Sequence, residues 1–163
     1  MTSCFAQRIK HSAEVYLKRK KKKIEVILKA ADFRSNDVVA DIGSGEGWFD
    51  IALGIYTDSL HFYLEEIDSA FLHGQKLQEV VSAYSKFRKT PITCTYLQTV
   101  GASNNTRLPS NYFDKVLLID TFHHLDTRDE MIAYMKRIIK CEGRLVVFEA
   151  VARKGKNLNP VSQ

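Results

Sequence analysis

Hydrophobic and polar positions follow two alternating rhythms along this chain. Residues 5–31 repeat at helical spacing, which predicts one helix or two consecutive helical segments with Ile9, Val15, Tyr16, Ile24, Ile27 and Leu28 turned inward. VVADI (38–42) is a short, mostly apolar run closed by glycines, the pattern of a strand buried on both faces. Helical spacing returns at 48–56, and strand-like residues at 59–67. An amphipathic helix over 69–87, a strand over 91–100 and a polar loop over 101–111 follow. The sequence then predicts a strand at 113–122, a helix at 127–140 and a strand at 143–151. Such alternation calls for a parallel sheet with right-handed crossovers and helices on both faces. Ligands of such sheets bind beyond the carboxyl ends of the strands, where the strand order reverses.

Length and composition narrow this picture. With 163 residues, 45% hydrophobic and 26% charged, the chain suits one domain with a single core. It reads as an N-terminal helical segment (1–34), an α/β body (35–151) and a loose polar tail (152–163). No apolar run is long enough to span a membrane, and the first twenty residues lack a secretory pattern. Cys4, Cys94 and Cys141 have no paired spacing, so a reducing, cytoplasmic setting is expected. Much of the net charge of +5 sits in KRKKKK (18–23). That run reads either as a contact for nucleic acid or anionic lipid, or as the solvated face of the first helix. The second reading is favoured, because no aromatic residues interleave the lysines.

The densest chemical signal is DIGSGEGW (41–48), where an acid precedes Gly43, Gly45 and Gly47 between a buried strand and a helix. Glycines there let main chain approach a ligand closely. A dinucleotide site would need a third glycine where Trp48 stands, and no G-K-[ST] follows.

The spacing resembles the first motif of class I S-adenosylmethionine-dependent methyltransferases, D/E-x-G-x-G-x-G. Further pieces fall in family order: YLEEID (63–68), FDKVLLIDTFHHL (113–125) and GRLVVFEA (143–150). The resemblance covers about residues 35–150 and lies nearest the small-molecule branch. It implies a single Rossmann-like, doubly wound domain with strand order 3-2-1-4-5. It also implies S-adenosyl-L-methionine as cofactor and S-adenosyl-L-homocysteine as product. On this register Asp41 helps orient the cofactor's ammonium group while Gly43, Gly45 and Gly47 supply bare main chain. Glu66 accepts bonds from the ribose hydroxyls, and Ile67 lies against adenine. Glu65, one residue away on an alternating strand, is expected on the opposite, solvated side. Asp120 either touches the amino-acid end or holds the loop.

Two departures from the family stand out. Ala102 occupies the position where relatives place an acid for the adenine amino group, leaving Ser103 or Asn104 as a neutral acceptor. Twelve residues follow Val151, too few for the usual helix and C-terminal hairpin. The fifth strand is therefore expected to be an open edge, covered by a second copy of the chain.

Methyl transfer from a sulfonium requires mainly alignment and exclusion of water, with a base only where the acceptor loses a proton. His124 is the candidate base or substrate contact, and a histidine merely packed at a helix start is the alternative. The five histidines have no metal-ligand spacing, and the adjacent His123 and His124 are expected to diverge. The functional expectation is methyl transfer to a small molecule. Its alternatives are a non-catalytic binding module and an RNA-directed enzyme that uses the lysine run.

Overall fold

The computed structural model describes residues 3–149, with side chains from residue 13 onward. Helix α1 (Ser3–Ala31) leads into strand β1 (Val38–Ile42) and the short helix α2 (Trp48–Gly54). There follow β2 (His61–Glu66), α3 (Gly74–Arg88) and β3 (Thr95–Val100). The chain continues through β4 (Phe113–Ile119), α4 (Arg128–Ile138) and β5 (Ile139–Phe148). All five strands are parallel, in the order β3-β2-β1-β4-β5. The order reverses at β1, which pairs with β2 on one side and β4 on the other. This is the expected Rossmann-like arrangement.

The alternating strands divide the core into two layers. Val39, Phe62, Leu64, Leu117 and Val146 meet α1, α2 and α3 on one face through Ile24, Ile27, Ile51 and Leu77. Ala40, Ile42, Val116 and Leu118 meet α4 on the other through Met131, Met135 and Ile138. Burying one such side chain stabilises the fold by roughly 1.5–3 kcal/mol, so these layers carry most of the driving force. The second face has one long helix against three on the first. Leu97, Leu145 and Val147 consequently remain exposed on it.

Element ends differ from the sequence expectation for local reasons. The helix expected over 69–87 is divided. Asp68 caps a single 3-10 turn (Ser69–Phe71) by accepting from the Ala70 amide at 2.9 Å, and α3 starts only at Gly74. Residues 91–94 have no ladder partners, so β3 begins at Thr95. Strand β4 stops at Ile119 because Asp120 adopts φ +57°, and a 3-10 turn (Phe122–His124) follows. Helix α4 runs directly into β5, whose extra residues loop out between the pairs Phe113–Ile139 and Lys115–Arg144. In α1, Tyr16, Ile24, Ile27 and Leu28 pack inward as expected, while Val15 is exposed and Leu17 takes the core position. The Ile9 side chain and the tail 152–163 lie outside the described residues.

Candidate functional site

The glycine turn after β1 has the geometry its sequence suggested. Gly43 and Gly47 both adopt φ +74°, where L side chains are strained. A Cβ on Gly43 would lie 2.4 Å from Thr121 Cγ2, and one on Gly47 would lie 2.5 Å from Leu64 Cδ1. Gly45 (φ +56°) differs, since a Cβ there meets open space. The Gly43 and Ser44 amides both donate to the Glu65 carbonyl at 2.9 Å, which seats the turn on β2.

A cavity of about 270 Å³ opens beside this turn, between the carboxyl ends of β1, β2 and β4. Its wall brings together Gly43, Glu66, Ile67, Ser103, Asp120 and His124, all anticipated from sequence. Asp41, Gly45 and Gly47 do not line it. Ala102 and Asn105 exchange hydrogen bonds across a tight turn that carries Ser103 and Asn104 at its tip. Of the two expected neutral acceptors, Ser103 is the one on the wall.

Glu66 is held in place by main chain. Its Oε1 accepts from the Ile67 and Asp68 amides at 2.8 and 3.2 Å, and its Oε2 accepts from the Gly45 amide at 3.0 Å. A carboxylate has about four acceptor positions, so this arrangement fixes the group while leaving capacity for a ligand.

Buried acids crowd this region, with Glu65 on the wall and Asp41 and Asp50 off it. Asp41 and Asp50 are buried, and Glu65 is 1% exposed. Glu65 is therefore not on a solvated side. Alternation does point it away from Glu66, but at this end of β2 the Gly43 turn and Gly101 close over it. The carboxyl tucks under Gly101, where a Cβ would collide with Glu65 Oε1. Burial pushes the Glu65 carboxyl up to about 8, against a weak 3.4 Å bond from the Gly43 amide. Burial and the adjacent Asp50 charge hold Asp41 well above the carboxylate range, partly opposed by the Lys23 ammonium. Asp50 is raised as well, chiefly by burial. Asp41 Oδ1, both Asp50 oxygens and Glu65 Oε1 have no hydrogen-bond partner among the described residues.

On the β4 side, His123 and His124 do not diverge. Their rings lie 3.8 Å apart at a 43° tilt, because the tight 3-10 turn brings them together. His123 Nδ1 is 2.8 Å from Glu149 Oε2, so a carboxylate orients the ring that packs against His124. The bonds from His123 and the Phe122 amide keep the Glu149 carboxyl below its usual range. Among the described residues no cluster of His, Cys, Asp and Glu could hold a metal ion.

Lys23 was missed as a site residue. Its ammonium lies over the rings of Phe49 and Phe148, 4.9 and 5.0 Å from their centroids, and pairs with Asp120. A helical signal was present: Tyr16, Lys20, Lys23 and Ile27 are spaced four, three and four residues apart on one stripe of α1.

Comparison with known proteins agrees with this architecture. A family model described as a methyltransferase domain matches residues 40–147. No curated protein matches the chain closely enough to count as a relative. Among solved structures, a protein described as a methyltransferase from an antibiotic biosynthesis pathway of Anabaena variabilis shares 22% identity at a TM-score of 0.59. That match covers 77% of this chain but only 44% of the Anabaena protein. An S-adenosylmethionine-dependent methyltransferase from Aquifex aeolicus shares 22% identity at 0.55, covering 82% and 68% of the two chains. Phosphoethanolamine N-methyltransferase 2 of Haemonchus contortus, solved with phosphomonomethylethanolamine and S-adenosylhomocysteine, shares 18% at 0.58, covering 78% and 27%. The chain thus spans less than half of the Anabaena protein's length. The family match takes in the glycine turn, Glu66, Asp120 and the paired histidines, and with it the chain belongs to the methyltransferase domain family.

Proposed function

We propose that the cleft binds S-adenosylmethionine and that the protein transfers its methyl group to a small-molecule acceptor, leaving S-adenosylhomocysteine. The observation that carries this reading is Glu66, fixed by three main-chain amides beside a glycine turn in an anionic wall. Glu66, Asp120 and Asp126 line the cavity as carboxylates beside the protonated Glu65, and among the described residues no Lys or Arg does. Such a wall suits a cationic ligand rich in hydroxyls and disfavours a phosphate-bearing one. A Cβ on Gly43 has no room beside Thr121, so bare main chain is kept where the ligand passes.

S-adenosylmethionine supplies a methyl group already activated by its sulfonium charge. This chain's residues would bind and orient. Glu66 takes the ribose hydroxyls, Ile67 packs against the base, and Ser103 offers a neutral contact in place of the family acid. Asp120 receives the ammonium, backed by the buried Asp41. His124 stands on the wall, packed against the Glu149-oriented His123, in position to accept a proton from an acceptor group. The Haemonchus neighbour, solved with a small phospho-amine, supports a small acceptor. The exposed Leu145 and Val147 of β5, an edge strand among the described residues, support association with a second copy there, to be checked by light scattering. Free Cys94 and Cys141 are consistent with a reducing, cytoplasmic compartment, and among the described residues no helix is long and apolar enough to cross a membrane.

Isothermal titration with S-adenosylmethionine and S-adenosylhomocysteine tests the cofactor reading. Binding is expected in the micromolar range, about −7 to −8 kcal/mol. Absence of heat and of thermal stabilisation at millimolar ligand would refute it. A small-molecule acceptor screen, read as formation of S-adenosylhomocysteine, tests turnover, and His124→Asn should reduce it.

A further inference from the structure

From the ion pair at the β4 end of the cavity, we infer that Lys23 is the residue of α1 that binds the carboxylate of the cofactor's amino-acid end, with Asp120 as its partner for the ammonium. This inference rests on the cofactor reading above and names a residue outside the glycine motif and the strand ends.

Four observations carry it. Lys23 is 15% exposed, unlike its neighbours Lys21 and Lys22, which point to solvent. Its ammonium lies over the rings of Phe49 from α2 and Phe148 from β5, so its position is set by contacts from two elements. Its ammonium meets Asp120, a cavity-lining acid 46% exposed, and its charge also reaches the buried Asp41. Asp120 itself sits at φ +57°, and its amide donates to the Phe148 carbonyl at 2.8 Å, so its backbone is fixed by β5.

The chemistry follows from charge balance. An ion pair whose two ends are anchored separately, one on α1 and one after β4, can receive a zwitterion. The ammonium of the ligand faces Asp120, its carboxylate faces Lys23, and each charge that leaves its protein partner gains an opposite one. The remaining wall is acidic, so without Lys23 a carboxylate there would face only like charge. The role is specific to ligands that carry an amino-acid end. Adenosine or a thioether lacking that end makes no use of it.

The test compares S-adenosylhomocysteine with 5′-methylthioadenosine, which keeps the nucleoside and sulfur but lacks the amino acid. Both are titrated calorimetrically into the wild-type chain, Lys23→Met, Lys23→Arg and, as a control on the same helix, Lys21→Gln. Methionine keeps an unbranched apolar side chain beside the two phenylalanine rings without the charge. Lys23→Met should bind S-adenosylhomocysteine at least tenfold more weakly and methylthioadenosine within twofold of wild type. Lys23→Arg should recover most of the loss, and Lys21→Gln should bind both ligands as wild type does. Unchanged binding of S-adenosylhomocysteine by Lys23→Met would overturn the inference alone. So would an equal loss for both ligands, which is the result expected if Lys23 merely straps α1 to the sheet. A wild-type chain that binds neither ligand would bring down the cofactor reading, and this inference with it.

Discussion

The two ends of the cleft are built by different means. At the β2 end, Glu66 is fixed by the amides of Gly45, Ile67 and Asp68, all within a few residues of a strand end. At the β4 end, Asp120 is met by a lysine 97 residues away in sequence, carried by a helix outside the alternating motif. The first end is preorganised by main chain, whose positions follow from the strand and turn. The second depends on side-chain packing between α1, α2 and β5, so its geometry can shift with the loss of one charge. Binding strength at the nucleoside end should therefore resist changes in α1, while discrimination for an amino-acid end should not.

The largest expected effect falls where the two ends join. Gly43 touches Thr121 of the β4 turn and donates to β2, so Gly43→Ala combines left-handed strain with overpacking. A loss of about 2–4 kcal/mol in chemical denaturation is predicted. Gly45→Ala, with open space at its Cβ, should lose only about 1 kcal/mol. Equal costs for the two would deny Gly43 its joining role.

Next comes Glu66→Ala. It should weaken S-adenosylhomocysteine and methylthioadenosine alike by more than tenfold, since both carry the ribose. A loss confined to one of them would mean that Glu66 does not serve the nucleoside. Asp120→Asn should act the other way. Asparagine tolerates the left-handed backbone, so the fold should hold while S-adenosylhomocysteine weakens roughly five- to tenfold and methylthioadenosine changes less than twofold. Calorimetry of the two ligands on both variants separates the ends directly.

The smallest effect concerns pH. The Glu65 carboxyl, raised to about 8, keeps its proton in the folded chain through neutral pH and releases it on unfolding. Stability of the ligand-free protein should therefore fall as pH rises from about 4.5 to about 8. Glu65→Gln, which can still accept from the Gly43 amide, should match wild type near pH 5 and exceed it by on the order of 1–2 kcal/mol at pH 9. Parallel melting profiles for the two proteins across that range would show that burial does not hold the proton there.

What could be read from sequence follows the same division. The buried parallel strands announce themselves as apolar runs, and the glycines at 43, 45 and 47 fix the turn. The strand ends that hold Glu66, Ile67, Ser103, Asp120 and His124 were therefore legible, while the strand order and the choice of these residues came from the family resemblance. Lys23 was not, because a run of lysines reads as one solvated face until packing selects a member of it. Glu65 was misjudged because alternation tells which face a side chain takes but not whether that face is covered. Asp50 escaped notice for a related reason. An acid in the first turn of a helix usually reads as a partner of the dipole, whereas this one lies wholly inside, near Asp41.

The most direct test of the central claim is a crystal structure of the chain grown with S-adenosylhomocysteine. The account predicts ligand density in the cavity beside Gly43, with the ribose hydroxyls on Glu66 and the amino-acid end between Lys23 and Asp120. Density for the ligand elsewhere, or an unchanged Lys23–Asp120 pair beside an empty cavity at saturating ligand, would contradict it.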